Sequence, residues 1–365
     1  MSLSIGIVGL PNVGKSTLFN ALTKKSVDAA NYPFCTIDPS VGVVPVPDER
    51  LWKLSEFSRS AETLPAVVEF VDIAGLVKGA AEGEGLGNAF LSNIREVDAI
   101  AHVVRIFDDP NIIHVNNTID PLADIETIHL ELIFADLDTV KKRLASLERD
   151  VKRGDKEAVK ENAVVTKVYE ALEASQLVSG LSLDEEEREH IRQLHLLTAK
   201  PILFVLNKQS GGTNLDEADP EKFDALTNAI EAIGARYVLV DANIENEVKE
   251  LEGDERQMFR EELGAKDSGF DTLIQQSYDL LGLITFFTTG EKETRAWTTF
   301  VGATAPEAGA SIHSDFRDKF IRADIIRWDT LLGAGSRAAA RDQGLIRTEG
   351  KEYVVQDGDV VEFKI

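Results

Sequence analysis

Short apolar runs typical of buried strands recur along the chain. They cover residues 3–8, 67–73, 99–107, 201–206 and 237–240. Helical stretches lie between most of these runs. An alternation of buried strands and helices predicts an α/β fold, with a mostly parallel sheet that helices cover on both faces. Such a sheet binds its ligand at the carboxyl ends of the strands.

The middle of the chain has a different period. Apolar residues there follow one another at intervals of three and four, with strongly charged positions between them: Leu130, Ile133, Leu137, Val140, Leu144, Leu147 and Val151. This spacing is typical of a coiled-coil seam. Gly154 then offers a turn, and Val165, Val168 and Leu172 repeat the spacing. We therefore predict an inserted helical hairpin, with one long helix packed flat on the sheet as the open alternative.

A third helix is predicted after the hairpin. Ser182 and Glu185 have the S-x-x-E spacing of a capping box, and Ile191, Leu194 and Leu197 follow at helical intervals. The hairpin and this helix together form a predicted helical insertion over residues 122–199.

After about residue 282 the pattern changes to short β-like runs around a helical stretch at 312–320. The runs cover residues 285–288, 297–301, 352–355 and 360–365, and Asp357-Gly358 supplies a turn between the last two. We predict a small α+β domain over 282–365. The sheet domain then comprises residues 1–121 and 200–281.

The charge balance limits the partners of the chain. Among 365 residues, 43% are hydrophobic, and 39 basic against 63 acidic residues give a net charge of -24. Such a balance disfavours diffuse binding to nucleic acid or anionic membranes. Residues 283–365 hold 11 basic and 13 acidic residues, so this part repels RNA least.

Two groups of basic residues are candidate RNA contacts, although interleaved acidic residues make a solvated helix face equally consistent with the pattern. One group lies near the hairpin tip and the other in the last domain: Arg149, Lys152, Arg153, Lys156, Lys160, and Arg317, Lys319, Arg322, Arg327.

The location of the protein is expected to be cytoplasmic. Cys35 is the only cysteine, which excludes an intramolecular disulfide. The first residues have no basic leader, and no apolar run approaches the ~18 residues of a membrane-spanning helix. We expect no membrane association, and a monomer is favoured.

A glycine-rich octapeptide, residues 9–16, connects the first predicted strand to a helix. Its two glycines let successive backbone N–H groups point at phosphate oxygens, Lys15 reaches the β/γ-phosphates, and the Ser16 hydroxyl binds Mg²⁺. A glycine-rich turn with an incidental lysine is the alternative. The expected nucleotide-binding residues are Asn12, Val13, Gly14, Lys15, Ser16 and Thr17.

Two further motifs follow in the order of a GTPase-like site. Asp72 closes a hydrophobic strand and is expected to hold Mg²⁺ through water, while the Gly75 N–H contacts the γ-phosphate. Residues 31–37 resemble a first switch, in which the Thr36 hydroxyl completes the Mg²⁺ shell in the triphosphate state. Ser16 and Thr36 are therefore the predicted metal ligands.

The attacking water needs a partner other than a glutamine. Leu76 follows Gly75, where Ras-like enzymes place a glutamine that orients this water, and an alkyl side chain cannot do so. His114, just past the strand at 99–107, is the best-placed replacement, since a histidine can orient or deprotonate water near neutral pH. An ordinary surface or core histidine is the alternative.

The base-recognition motif is residues 207–210, Asn-Lys-Gln-Ser. GTPases use N-K-x-D here, because an ionised aspartate accepts two hydrogen bonds from guanine, and Ser210 cannot reproduce that contact. Asn207 can accept from adenine N6 and donate to N7, which favours ATP. Lys208 is grouped with Asn207, and Ala242 is expected beside the base as part of the last nucleotide loop.

Asn12 has a possible second function. An amide oxygen in the phosphate loop can help hold a monovalent cation such as K⁺ against the phosphates. A turn residue chosen for its backbone explains the same position equally well.

Taken together, these motifs resemble those of the Obg-like ATPases, the YchF family, over essentially the whole chain. The resemblance rests on residues 9–16, 31–37, 72–80, 83–88, 295–298, 301–306 and 312–316. It implies a Ras-like P-loop domain interrupted by a helical coiled-coil domain and followed by a TGS domain, which is a β-grasp module.

The resemblance also implies Mg²⁺-dependent hydrolysis of ATP in preference to GTP, and association with the ribosome, with the large subunit favoured, or another structured RNA assembly. It supports His114 as the water-positioning residue and Asn207 with Lys208 at the adenine. Lys208 and Ser210 depart from the usual family pattern. Three functions stay open: a ribosome-linked ATPase switch in translation or stress response, a GTPase of the same architecture, and a nucleotide-sensing module with little turnover.

Overall fold

The computed structural model describes residues 3–23, 38, 40–73, 88–109, 119–247, 258 and 269–365. The strands are β1 Ser4–Val8, β2 Val41–Pro45, β3 Glu62–Leu64, β4 Val67–Asp72, β5 Ala99–Arg105, β6 Phe107–Asp108, β7 Ile202–Asn207, β8 Thr213–Asn214, β9 Arg236–Val240, β10 Leu283–Thr289, β11 Glu293–Phe300, β12 Arg322–Arg327, β13 Arg347–Glu349 and β14 Asp359–Lys364.

The helices are α1 Lys15–Thr23, α2 Glu49–Ser58, α3 Asn88–Glu96, α4 Pro121–Lys152, α5 Lys156–Glu173, α6 Glu185–Arg192, α7 Leu215–Ala218, α8 Pro220–Ala232, α9 Ala242–Glu247, α10 Gly269–Leu280, α11 Ala305–Ala310, α12 Ser314–Asp318, α13 Trp328–Gly333 and α14 Arg337–Asp342. Short 3₁₀ turns occupy Val178–Gly180 and Leu197–Ala199. No helix within the described ranges is both long and apolar enough to cross a lipid bilayer.

The central sheet has the strand order β2-β4-β1-β5-β7-β9. All neighbours pair in parallel except β2, which runs antiparallel to β4 at the edge. Strands β5 and β7 are buried along their whole length, as expected for strands covered on both faces. The predicted mostly parallel sheet is therefore confirmed, and its strand order is that of a Ras-like domain.

Strand β2 was not predicted from the sequence. Gly42 interrupts its apolar run and Pro45 ends it, and both residue types weaken a strand pattern. An edge strand tolerates them. A Cβ on Gly42 would lie 2.7 Å from the Thr23 side chain, so glycine allows α1 to approach the sheet closely.

The inserted segment is a helical hairpin, as predicted, and one long helix is excluded. Gly154 turns the chain with φ 79°, and the Asp155 carboxylate accepts the Ala158 N–H to begin α5. Arg143 binds Glu161 across the two helices through contacts of 2.5 and 2.7 Å. The seam begins later than predicted, because Leu130 is 41% exposed.

The N-terminal half of α4 instead packs against the domain core. Its buried apolar side chains there include Ile125, Ile128 and Leu132. Asp136 anchors this helix: its fully buried carboxylate accepts hydrogen bonds from Leu197 N–H and from the N–H and hydroxyl of Thr198, at 2.7 to 3.0 Å. Burial raises the pKa of Asp136, and these donors oppose the shift. The return of the chain to β7 is thus fixed to the hairpin.

The capping box of α6 lies two residues later than predicted. Asp184 accepts the Glu187 N–H at 2.8 Å, and Glu187 accepts the Asp184 N–H at 3.0 Å. Ser182 and Glu185 have the same spacing, but Asp184 occupies the N-cap position. Both pairs fit the motif, and the sequence pattern alone did not separate them.

The C-terminal residues form a second sheet with the order β13-β12-β14-β10-β11-β3. The predicted run at 352–355 forms no strand; Val354 makes an isolated bridge with Thr304, and β13 precedes the run instead. The helical stretch at 312–320 is shortened to α12, and β12 was not predicted. Gly358, at φ 88°, makes the predicted turn into β14.

The sixth strand of this C-terminal sheet, β3, comes from the nucleotide domain. It pairs in parallel with β11. The Ser60 hydroxyl lies 2.7 Å from both the Gly290 carbonyl and the Thr294 hydroxyl. The predicted boundary at residue 282 did not foresee this contribution. Residues 46–64 therefore join the two sheets.

Arg50 on α2 is the main charged contact of this joint. Its guanidinium binds Asp48 at 2.8 Å and Asp357 at 2.5 Å, and it lies 5.3 Å above the Phe287 ring. Asp357 also accepts the Thr285 N–H at 3.0 Å. These partners fix α2 against the C-terminal sheet.

A double-mutant cycle of Arg50→Ala and Asp357→Ala should give a coupling energy of about 1 kcal/mol, because the pair is only partly exposed and carries several hydrogen bonds. Urea unfolding followed by tryptophan fluorescence measures it. Lys53→Ala removes the exposed ion pair with Glu49 on the same helix and serves as the control, with almost no expected change. Additive effects of the first two substitutions would contradict the assignment.

Candidate functional site

The loop between β1 and α1 is shaped by close backbone approaches. A Cβ on Gly9 would lie 2.4 Å from the Val103 carbonyl oxygen, and one on Gly14 would lie 2.2 Å from the Asn207 amide nitrogen. Gly14 also has φ 99°, and Asn12 has φ 61°, both in the left-handed region. The loop can therefore curl against β5 and β7, as a phosphate-binding loop requires.

Lys15 lies inside this loop. It is 9% exposed, and its ammonium donates to the Leu10 carbonyl at 2.6 Å. Burial lowers the pKa of Lys15 to about 8, while the nearby charge of Asp72 partly opposes the shift. A cation held among the N–H groups of a curled loop is suited to bind phosphate oxygens.

The residues around this loop fit a magnesium ion. Ser16 is exposed on the first turn of α1, and Asp72 ends β4 directly beside Ile7 of β1. The Asp72 N–H donates to the Ser40 carbonyl at 2.8 Å. A hydroxyl and a carboxylate near bound phosphates are the oxygen donors that Mg²⁺ takes, with water completing the octahedron. Thr36, Gly75 and His114 lie outside the described residues.

Asn207 connects three loops at the end of β7. Its side chain is 4% exposed; the amide nitrogen donates to the Val13 carbonyl at 2.9 Å, and the amide oxygen accepts the Ala242 N–H at 3.1 Å. From the sequence, both the oxygen and the nitrogen of this amide were predicted to bind adenine. In the structure each half has a protein partner, so the first function of Asn207 is to hold the phosphate loop to α9.

Lys208 is neutralised by the helix that follows its loop. Its ammonium contacts Asp216 at 2.5 Å and Glu217 at 3.1 Å. Burial lowers the pKa of Lys208, but these two carboxylates outweigh burial and raise it. This pairing could not be predicted from the motifs, because α7 lies outside all of them.

Asp241 is the carboxylate beside Ser210, and its oxygens are used by the backbone. It accepts the Ser210 N–H at 2.5 Å and the N–H groups of Asn243 and Ile244 at 3.0 Å each. The last two bonds start α9, whose first residue is Ala242. Asp241 therefore fixes the backbone at Ser210 relative to the first turn of α9.

Arg105 is a buried charge that the sequence analysis missed. It ends β5 and is 1% exposed. Its guanidinium donates to the Phe107 carbonyl at 2.9 Å and the Asp109 carbonyl at 3.3 Å, and it lies 4.6 Å from the centroid of the Phe107 ring. An arginine within a mostly apolar strand run was the available signal.

A Ras-like strand order, a glycine-rich loop at the end of β1 and a buried lysine inside that loop define a P-loop nucleoside triphosphatase. Comparison with family models agrees: one described as a 50S ribosome-binding GTPase matches residues 4–136, and the C-terminal YchF-GTPase model, described as a protein of unknown function, matches residues 283–365. The chain belongs to the YchF family.

Full-length relatives support this assignment. The chain is 53% identical to the ribosome-binding ATPase YchF of Bacillus subtilis and 49% identical to that of Haemophilus influenzae, covering 100% of this chain and 99% of each relative. Among solved structures, the YchF GTPase of Schizosaccharomyces pombe has a TM-score of 0.89 and 39% identity, covering 100% of this chain and 98% of that one.

Nucleotide binding should take up protons at about pH 9 but not at about pH 7. Lys15 in the free protein loses its proton above its pKa of about 8, and phosphate charge restores it in the complex. Affinity should therefore fall as pH rises through this value, by up to about tenfold per unit. Calorimetry in two buffers of different ionisation enthalpy measures the uptake. Lys15→Arg stays charged and should show none; equal uptake by both proteins would contradict the prediction.

Proposed function

We propose that this protein is a ribosome-binding ATPase, which hydrolyses ATP to ADP with Mg²⁺ and acts as a nucleotide-controlled switch in translation or stress response. The relatives named above support both the activity and the ribosome partner. The observation that carries the choice of ATP is that Ser210 has no carboxylate, and that the Asp241 carboxylate beside it already accepts three backbone N–H groups.

The choice between ATP and GTP depends on which hydrogen-bond acceptors the protein offers to the base. Guanine offers N1–H and N2–H₂, which need an ionised acceptor in the base loop. Ser210 has none, and Asp241 already accepts three backbone N–H groups. Asn207 keeps a second amide hydrogen, which can be donated to purine N7. Lys208 lies in the same loop and is paired with two carboxylates of α7.

We assign the metal to the Ser16 hydroxyl and the Thr36 hydroxyl, with Asp72 acting through water. When bound, Mg²⁺ neutralises charge on the β- and γ-phosphates. Asn12, exposed and in the left-handed region, is the proposed contact for K⁺ beside the phosphates. P-loop nucleotide hydrolysis generally requires Mg²⁺, whereas the proposal of a K⁺ ion is based on Asn12.

The ribosome contact is proposed on the large subunit, in agreement with the description of the matching family model. Several basic side chains suggested as RNA contacts pair with adjacent acids, including Lys152 with Glu148 and Lys319 with Asp315. Exposed pairs of this kind are worth at most about 1 kcal/mol, so phosphate groups can replace the acids. We propose a cytoplasmic monomer.

A GTPase of the same architecture is the second candidate. The solved relative from S. pombe is described as a GTPase, and so is the family whose model matches residues 4–136. Turnover of both triphosphates, with and without ribosomes, separates an ATPase, a GTPase and a sensor with little turnover.

ATP should bind at least about tenfold more tightly than GTP, a difference of about 1.4 kcal/mol. Ser210→Asp should raise GTP affinity because it restores a charged acceptor for guanine. Ser210→Ala, which adds no acceptor, should leave the preference unchanged. Isothermal titration with both nucleotides tests this, and equal affinities in the wild-type protein would refute it.

His114→Ala should lower kcat by about 10²-fold or more, since Leu76 offers the attacking water no partner and a positioned general base contributes this much. Nucleotide affinity should hardly change. Lys15→Ala, in contrast, should weaken binding itself, because it removes a charge from the ground-state phosphates. Wild-type turnover by His114→Ala, also on ribosomes, would show that another group orients the water.

A further inference from the structure

Two short segments at the carboxyl edge of the sheet form one structural unit. We call residues 208–214 the base loop and residues 106–109 the exit segment. Ile106 holds both ends of the base loop: its N–H donates to the Asn207 carbonyl at 3.1 Å, and its carbonyl accepts the Leu215 N–H at 2.8 Å. Strands β6 and β8 then pair the two segments directly. A shift of one segment must therefore disturb the other.

Gln209 makes the side-chain contact between them. Its amide nitrogen donates to the Asp109 carboxylate at 3.3 Å. Its backbone N–H donates to the Asn214 amide oxygen at 2.8 Å, and its carbonyl accepts from the Asn214 amide nitrogen at 2.9 Å. Asn214 is buried, so the base loop is closed internally before it contacts Asp109.

The exit segment is also held by Arg105, the last residue of β5. Arg105 donates to the carbonyls of Phe107 and Asp109 and stacks on the Phe107 ring. A planar guanidinium in a buried position allows few alternative arrangements of its partners. Among the residues that the structure describes, the buried arginine and the base loop hold the exit segment, and the base loop is the one of these two that belongs to the proposed nucleobase site.

We propose that Gln209 is a positioning residue, which through Asp109 makes the rate of hydrolysis depend on the identity of the bound base. A base that contacts the base loop stabilises the Gln209 to Asp109 contact, and the chain leads from Asp109 to His114 in five residues. The inference rests on the proposed ATPase function.

The physical consequence is a separation of binding from turnover. Energy from a remote part of a substrate can be used to position the reacting groups, and it then appears in kcat rather than only in KM. ATP should therefore exceed GTP in kcat as well as in affinity. Gln209, the third residue of the 207–210 motif, carries no base contact in the sequence pattern and becomes a determinant of specificity.

Steady-state kinetics of three variants test the proposal. Gln209→Glu places two carboxylates together and should lower kcat for ATP by about tenfold, the worth of a single lost charged contact, with KM changed less than about twofold. The GTP rate should stay unchanged. Gln209→Glu combined with Asp109→Asn restores a donor and an acceptor in exchanged positions, and should recover most of the ATP rate. Gln176→Glu, exposed on the helical insertion, controls for the added charge.

The outcomes distinguish this inference from the function on which it rests. ATP hydrolysis by the wild-type protein, with Gln209→Glu changing only KM or nothing, overturns the inference and leaves the proposed function standing. A fall in kcat that the exchanged pair does not restore also overturns it. Absence of ATP hydrolysis in the wild-type protein, with ribosomes present, overturns both. Gln209→Ala, which introduces no repulsion, replaces Gln209→Glu if thermal unfolding shows the latter to be misfolded.

Discussion

The geometry of the site depends on one buried side-chain amide, that of Asn207. It satisfies the Val13 carbonyl and the Ala242 N–H at the same time, so loss of the amide would leave two backbone groups without partners in a dry environment. Gly14 lies directly against this amide, where a Cβ does not fit. Positions 14 and 207 are thus constrained together, although they lie 193 positions apart in the sequence. The phosphate loop keeps its shape because a strand on the other side of β5 holds it.

Buried apolar runs and helical periodicity were sufficient to predict the parallel sheet and the hairpin, because burial on both faces leaves a strong signal in the sequence. Strand β12 begins and ends with an exposed arginine, and β3 spans only three residues. Such strands are determined by their partners rather than by their own composition. The capping box was misplaced for a simpler reason, since two overlapping pairs of residues satisfied the same motif.

The motifs of the site could be predicted from the sequence because phosphate and Mg²⁺ require particular residue types at fixed intervals. The contacts that hold those motifs in place could not be predicted. Asn207 and Asp241 bind backbone N–H and carbonyl groups, and a backbone partner has no residue identity for a sequence pattern to reveal. Lys208 was paired with the adenine in the sequence analysis, whereas its ammonium meets α7. Thr36, Gly75 and His114 stay predictions.

The shared strand β3 affects how the protein can fold. Its partners on β11 are synthesised more than two hundred residues later; Ser60 and Thr294 stand 234 positions apart. Until then, the apolar face of α2 lacks its contacts with β10, β11 and α13, and contacts over such separations form slowly. A chain ending at residue 282 would keep that face exposed to water. A C-terminal domain released alone would present β11 as an open edge, whose unpaired N–H and C=O groups invite pairing with other chains. Cleavage between the two domains should therefore produce two aggregation-prone fragments rather than two independent modules.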